Sequence, residues 1–283
     1  MPFETAVTVV REEFGKLHPH YVEIFDRLLT GGQVDVYPRA GKTGGAYCSS
    51  DIGTPTMVLL NHVDSFESAK TLAHEMGHAI HAERAKSQRP LYQGHPISTA
   101  ETASTFFEGI VLDRLMGMLP ESEQIIALHD KIQDDVATIF RQVACFRFEQ
   151  ALHREIREKG YLPKERIGEL MNSEMARYLG PAVSLTSEDG AFFVTWSHIR
   201  RFFYVYSYAY GKLISKALHA RLRENPRFIE KVDAFLCAGE STSPEKIFKA
   251  CGLDTTTPTL FLAGLAEIER DVARLEKMVR RRK

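Results

Sequence analysis

The sequence lacks the features that mark several protein classes, beginning with cysteine. Only four cysteines occur in 283 residues, at positions 48, 145, 237 and 251, and no pair has the CxxC spacing. Scattered cysteines of this kind argue against a disulfide framework and against a cysteine zinc site. We therefore expect reduced thiols in a cytoplasmic protein.

Neither sign of charge is in excess, and no long apolar run is present. Lys and Arg total 36 against 37 Asp and Glu, a net charge of −1. A dedicated nucleic-acid binder needs a basic excess. No run approaches the roughly 18 apolar residues of a membrane helix, and the first residues lack the regions of a signal peptide. We expect no nucleic-acid partner, no membrane association and a cytoplasmic location.

What is present is an ordinary globular composition, with 44% hydrophobic and 26% charged residues. Apolar residues with helical spacing predict a mainly α protein, with active-site helices at about 66–86 and 98–116 and a helical remainder at 121–282. That remainder includes a helix at about 197–223. Glycine-punctuated segments predict a small β-sheet at about 33–63. No linker interrupts the pattern, so we expect a single domain over residues 1–283.

The motif with the clearest chemistry is His74-Glu75-Met76-Gly77-His78, an HExxH sequence. Residues four apart on a helix share one face, about 6 Å apart along the axis. Two imidazoles so placed bind one Zn²⁺ through nitrogens at about 2.0–2.1 Å. Glu75 is then placed to take a proton from a water molecule at the metal.

A third ligand is needed, and Glu101 on the following helix is the candidate. The metzincin pattern fails, because it requires Gly at position 81 and His at 84, where this chain has His81 and Arg84. One alternative is that Glu101 caps its own helix together with Ser98. Glu108 lies seven residues further along the same face. We expect it to accept a hydrogen bond from a ligand histidine.

Three stretches resemble the oligoendopeptidase F and thimet oligopeptidase family of zinc metallopeptidases, specifically its catalytic half. They are Gly41-Lys42-Thr43-Gly44-Gly45-Ala46-Tyr47-Cys48, then the segment around His74 to His81 with Ala100 to Phe106, and Phe203-Tyr204-Val205-Tyr206-Ser207-Tyr208-Ala209-Tyr210-Gly211 with His198 upstream. The resemblance implies a zincin-like (gluzincin) catalytic domain. The three motifs together are specific for this family, whereas the HExxH sequence alone would not be.

The resemblance also implies roles for individual residues. One Zn²⁺ would be held by His74, His78 and Glu101, with Glu75 as general base. His198 and Tyr206 would stabilise the oxyanion, although Tyr204 or Tyr208 could stand in the place of Tyr206. Nitrogen and carboxylate ligands also accept cobalt and manganese.

The glycine-rich segment at Gly41-Lys42-Thr43 is not a Walker A motif, because Val36 occupies the position of the first glycine and a strand follows. A strand edge beside the metal helix could instead bind an extended peptide through its backbone. That edge is either 46–49 or 56–61. We expect Gly44, Gly45, Ala46 and Tyr204 to contact substrate.

These observations predict a zinc metalloendopeptidase that hydrolyses internal bonds of short, unfolded peptides. The chain is about half the usual length of the family and lacks most of its N-terminal helical region. In the family that region forms one wall of the substrate channel. Without it the site would be an open cleft, or self-association or a partner chain would supply the wall; a further alternative is that the sequence is a fragment. The alternatives are a catalytically weak binding or scaffold protein with a peptidase fold, and a zinc carboxypeptidase.

Overall fold

Helices make up most of the computed structural model, which describes residues 1–201 and 203–281. This confirms the predicted mainly α fold with a small sheet. The α-helices in chain order are α1 Phe3–Leu17, α2 Pro19–Thr30, α3 Phe66–Ala85, α4 Ile97–Met118, α5 Glu121–Val136, α6 Gln142–Lys159, α7 Lys164–Leu179, α8 Phe192–Thr195, α9 Tyr206–Glu224, α10 Ile229–Cys237, α11 Pro244–Ala250 and α12 Pro258–Arg280. The predicted helical region extends to Arg282, which lies outside the described residues.

The small sheet contains three short strands in the order β1-β3-β2: β1 is Val34–Asp35, β2 is Tyr47–Ser49 and β3 is Met57–Leu59. β3 pairs parallel with β1 and antiparallel with β2. Because β3 is central, the alternative that places the free edge at 56–61 is wrong, and the other alternative, 46–49, contains the edge strand β2. Among the described strands, β2 and β1 form the edges.

Helix α3 begins at a defined cap and carries the HExxH sequence through its middle. The Ser65 side chain accepts a hydrogen bond from the Ser68 backbone N–H at 3.0 Å. A serine at this position satisfies one of the donors that a helix start leaves open. α3 is buried along most of its length, so its central residues face other elements of the protein.

The predicted helix at about 197–223 is wrong at its start, over residues 197–201 and 203–205, while residue 202 lies outside the described residues. Ser197–Arg200 forms a short 3₁₀ turn, and α9 begins only at Tyr206. Phe203 adopts a left-handed backbone conformation with φ of 60°. A helix cannot continue through such a residue, so the aromatic spacing there belongs partly to a turn.

Two compact units divide the described chain. Unit 1 comprises Met1–Asp130 and Gly211–Lys283, and unit 2 comprises Lys131–Tyr210. The core of unit 2 includes Phe148, Met171 and Trp196. Compactness is a different property from independent folding, so the expectation of one domain over 1–283 stays a prediction. Within the described residues, no helix is both long and apolar enough to cross a membrane.

Candidate metal centre

Gly77, the fourth residue of the HExxH sequence, allows α3 to pack closely against α4. A Cβ atom at this position would lie 2.9 Å from the Ser104 Cα atom and 3.1 Å from the Phe107 Cβ atom. Only glycine fits such an approach without a shift of one helix. Sequence reasoning missed this role, although a glycine inside a helical pattern was its signal.

This close approach brings His74, His78 and Glu101 together within unit 1. One ligand atom from each lies within 4.8 Å of the other two. The His74 Nε2 atom is 3.8 Å from a Glu101 carboxylate oxygen. The two imidazole rings lie at 79° with centroids 5.0 Å apart, so two nitrogens and an oxygen converge from neighbouring helices.

The donor set fits a zinc-type ion. Tetrahedral zinc with bonds of about 2.0–2.1 Å keeps its ligand atoms about 3.4 Å apart, so the side chains would draw together by roughly 1 Å. Two imidazoles and one carboxylate suit zinc, cobalt or manganese better than calcium or magnesium. His74, His78 and Glu101 are the residues that would hold the ion.

Glu101 does not cap its own helix. The residue before α4 is Pro96, and no side chain caps that end. The Glu101 carboxylate instead faces Ser104, 3.4 Å away, and His74. Gly211 of α9 packs closely against Glu101, since a Cβ atom on residue 211 would lie 2.9 Å from the Glu101 Cβ atom. The alternative that pairs Glu101 with Ser98 is therefore excluded.

Glu75 is buried beside this cluster. Burial raises the pKa of Glu75 to about 7, and the charge of Glu101 acts in the same direction. A carboxyl group with a pKa near the working pH can both accept and release a proton. Perturbed carboxyl groups of this kind are concentrated at functional sites.

Glu108 contacts His74 directly, as expected. The His74 Nδ1 atom lies 2.7 Å from a Glu108 oxygen. Burial would lower the pKa of His74, but the hydrogen bond and charge of Glu108 outweigh it and the net shift is upward. Burial would likewise raise the pKa of Glu108, yet Lys212 and His74 hold it well below its usual range. Sequence reasoning missed Lys212.

His81 lies outside the cluster. Its ring stacks on His95 with centroids 4.3 Å apart, and burial lowers the pKa of both histidines. His81 and His95 thus form a buried stacked pair, and the cluster of candidate ligands among the described residues includes neither ring.

His198 and the tyrosine-rich segment belong to unit 2. The Tyr208 hydroxyl lies 3.1 Å from His198 Nε2. The Tyr204 ring is tilted against His198, with centroids 5.4 Å apart. Tyr206 is 42% exposed, and its ring approaches Phe146. The structure thus pairs His198 with Tyr208 rather than Tyr206, while the catalytic role of each stays a prediction.

The glycine-rich segment leads into the edge strand β2. Gly45 has φ of 78°, a conformation that favours glycine. The Asn61 side chain donates hydrogen bonds to the carbonyls of Thr43 and Gly45, at 2.9 and 2.8 Å. These bonds fix the segment that contains Gly44, Gly45 and Ala46. Its contact with substrate stays a prediction.

An HExxH helix packed against a second helix that offers a glutamate is typical of zincin-type peptidases. Comparison with known families agrees with this class, since residues 3–267 match peptidase family M3. The chain belongs to this family, and the resemblance identified from the sequence motifs is confirmed.

Individual relatives agree with the family assignment. The oligopeptidase PepF of Bacillus subtilis is 29% identical over 98% of this chain and 42% of its own length. The group B oligopeptidase PepB of Streptococcus agalactiae is 31% identical over 92% of this chain and 44% of its own length. The chain therefore spans less than half the length of these relatives.

Solved structures show the same fold. A Chlamydophila abortus protein assigned as a peptidase superposes with a TM-score of 0.85 at 26% identity, covering 98% of this chain and 47% of that protein. The oligoendopeptidase F of Enterococcus faecium superposes with a TM-score of 0.64 at 22% identity, covering 99% of this chain and 54% of that protein. The second similarity is evidence for the fold alone.

Proposed function

We propose that this chain is the catalytic half of a zinc-dependent oligopeptidase that hydrolyses internal bonds of short peptides. The observation that carries the proposal is the convergence of His74, His78 and Glu101, with the buried Glu75 beside them. The oligopeptidase names of the relatives agree with it. A cytoplasmic location, and the absence of nucleic-acid and membrane partners, stay predictions.

Glu75 performs the proton transfers in this proposal. Its carboxylate oxygen accepts a proton from the water molecule that attacks the scissile carbonyl carbon. The same oxygen then delivers the proton to the leaving amide nitrogen. A pKa near neutrality suits a group that must do both.

A bound zinc ion would supply Lewis-acid chemistry, lowering the pKa of water and polarising the scissile carbonyl. The resemblance assigns stabilisation of the negative oxygen to His198 and a nearby tyrosine. Burial, together with the charge of Arg201, lowers the pKa of His198, which favours a neutral ring. A neutral donor serves this purpose without adding a permanent charge.

Substrate backbone is proposed to align along β2. The strand is an edge of the described sheet, and its outer backbone groups can pair with an extended peptide. Backbone pairing is independent of substrate side chains, which suits an enzyme for varied short peptides. Gly44, Gly45 and Ala46 immediately precede this edge, and the substrate contact of Tyr204 stays a separate prediction.

The test is a Glu75→Gln variant, measured with internally quenched peptides that are blocked at both ends. We expect bound zinc to remain near wild-type content, because Glu75 is not a ligand, while kcat falls about 10²–10⁴-fold. The exposed Glu269→Gln is the matched control and should keep full activity. Full turnover by the Glu75 variant would refute its role.

The same assay separates the alternatives. Zinc binding without chelator-sensitive cleavage by the wild-type chain would favour a binding or scaffold protein. Release of single C-terminal residues from unblocked peptides, read by product masses, would favour a carboxypeptidase. Light scattering, with and without peptide, would test whether a second copy replaces the region that the longer relatives contain.

A further inference from the structure

A buried lysine of α9, Lys212, contacts the glutamate that in turn contacts His74. Lys212 Nζ lies 3.4 Å from one carboxylate oxygen of Glu108, and the other Glu108 oxygen lies 2.7 Å from His74 Nδ1. Lys212 is only 9% exposed and Glu108 only 7%. One carboxylate therefore connects a buried ammonium group to a proposed metal ligand.

Burial of this lysine needs a reason beyond stability. Lysine is rarely buried, because its charge loses hydration, and a buried ion pair is often no more stabilising than apolar residues of the same size. The adjacent Gly211 permits α9 to approach α4 at Glu101. Glu108 lies two turns beyond Glu101 on α4. The packing of α9 on α4 that places Gly211 against Glu101 also places Lys212 within reach of Glu108.

The geometry fixes the orientation of Glu108 at two points. A glutamate side chain held at one oxygen alone can rotate about several bonds. With Lys212 on the first oxygen, the second oxygen stays aimed at His74 Nδ1. A hydrogen bond at Nδ1 selects the His74 tautomer and turns Nε2 toward Glu101.

We propose that Lys212 is a positioning residue of the metal centre, which acts through Glu108 to hold the His74 ring in its ligand orientation. The inference rests on the proposed function, because it requires His74 to be a ligand. It assigns a role to a residue outside the HExxH sequence and outside the ligand set.

The experiment is a double-mutant cycle with Lys212→Met and Glu108→Gln, measured as Zn²⁺ affinity by competition with a chromophoric chelator. We expect Lys212→Met alone to weaken affinity about 10-fold, in the range found for groups that orient metal ligands. In the Glu108→Gln background the same change should alter affinity less than two-fold, because its route to His74 is already gone.

The controls make each outcome decisive. Lys86→Met removes a lysine that pairs with Glu83 on α3, away from the cluster, and should leave affinity unchanged. If the Lys212→Met variant does not fold, Lys212→Gln takes its place in the double-mutant cycle. The absorption spectrum of the Co²⁺-loaded protein should change with Lys212→Met and not with Lys86→Met, since it reports ligand geometry.

Two results would overturn the inference while leaving the proposed function intact. Wild-type affinity in Lys212→Met is one. Additive effects of the two substitutions are the other, since Lys212 would then act on the ion without Glu108. Failure of the wild-type protein to bind Zn²⁺ would instead overturn both the metal centre and the inference.

Discussion

At the residue scale, Tyr206 and Tyr208 differ in their surroundings despite lying two positions apart. Tyr208 contacts His198 through its hydroxyl, whereas Tyr206 is well exposed and packs its ring toward Phe146. A hydroxyl placed at an imidazole can act with it on one oxygen atom. This contact favours Tyr208 as the oxyanion donor.

Removal of each hydroxyl tests this assignment. We expect Tyr208→Phe to lower kcat about 10²-fold, the usual loss of one oxyanion donor, with zinc content unchanged. Tyr206→Phe is the matched control, and its kcat should stay within about three-fold of wild type. Equal losses, or a larger loss for Tyr206→Phe, would return the role to Tyr206.

At the scale of elements, the packing of α3 on α4 determines whether the proposed ligands meet. His74 and His78 are on one helix and Glu101 on the other, so any separation of the helices moves the carboxylate away. At Gly77 and Ser104 the two helices lie too close together to admit a Cβ atom on residue 77 without a shift. If His74, His78 and Glu101 hold a metal as proposed, its affinity should depend on the distance between these helices.

Gly77→Ala should destabilise the protein in spite of the better helix propensity of alanine. Alanine gains about 1 kcal/mol in a helix interior, but its Cβ atom would meet backbone at 2.9 Å. Helix displacement of this kind costs about 1–3 kcal/mol, so we expect a net loss in the free energy of unfolding and weaker Zn²⁺ affinity. Denaturant unfolding and chelator competition measure the two effects.

Gly117→Ala provides the control on α4. A Cβ atom at Gly117 has no neighbour within 4 Å, so the substitution should stabilise the protein slightly and leave affinity unchanged. If Gly77→Ala behaved like Gly117→Ala, close packing at Gly77 would not control the ligand spacing.

At the scale of the whole molecule, a bound ion would join parts of unit 1 that are distant in sequence. Helices α3 and α4 carry the proposed ligands, and α9 supplies Gly211 and Lys212. A ligand that binds only the folded form adds RT ln(1 + [L]/Kd) to stability, about 2.7 kcal/mol at 100 times Kd. Metal should therefore stabilise this unit as well as serve catalysis.

Removal of the metal tests this linkage. We expect a chelator to lower Tm and to speed amide hydrogen exchange in α3 and α4, with recovery on addition of Zn²⁺. The His78→Ala variant should show no zinc-dependent change in either measurement. A zinc-dependent rise in Tm that persists in this variant would place the stabilising site elsewhere.

Local patterns in the sequence were sufficient to predict much of the secondary structure and part of the candidate site. Helical spacing predicted α3 and α4 to within two residues, and glycines predicted the region of the short strands. The HExxH spacing placed two histidines on one face without any tertiary information, because helix geometry alone fixes residues four apart. The family assignment also followed from motifs in the sequence.

Tertiary structure decided the rest, because it depends on contacts between distant residues. The order β1-β3-β2, the pairing of His198 with Tyr208 and the start of α9 at Tyr206 are not encoded in local periodicity. Nor is the approach of Lys212 to Glu108, 104 residues apart. Local sequence determines which side chains lie on one face of a helix. Tertiary packing determines which other helix face those side chains contact.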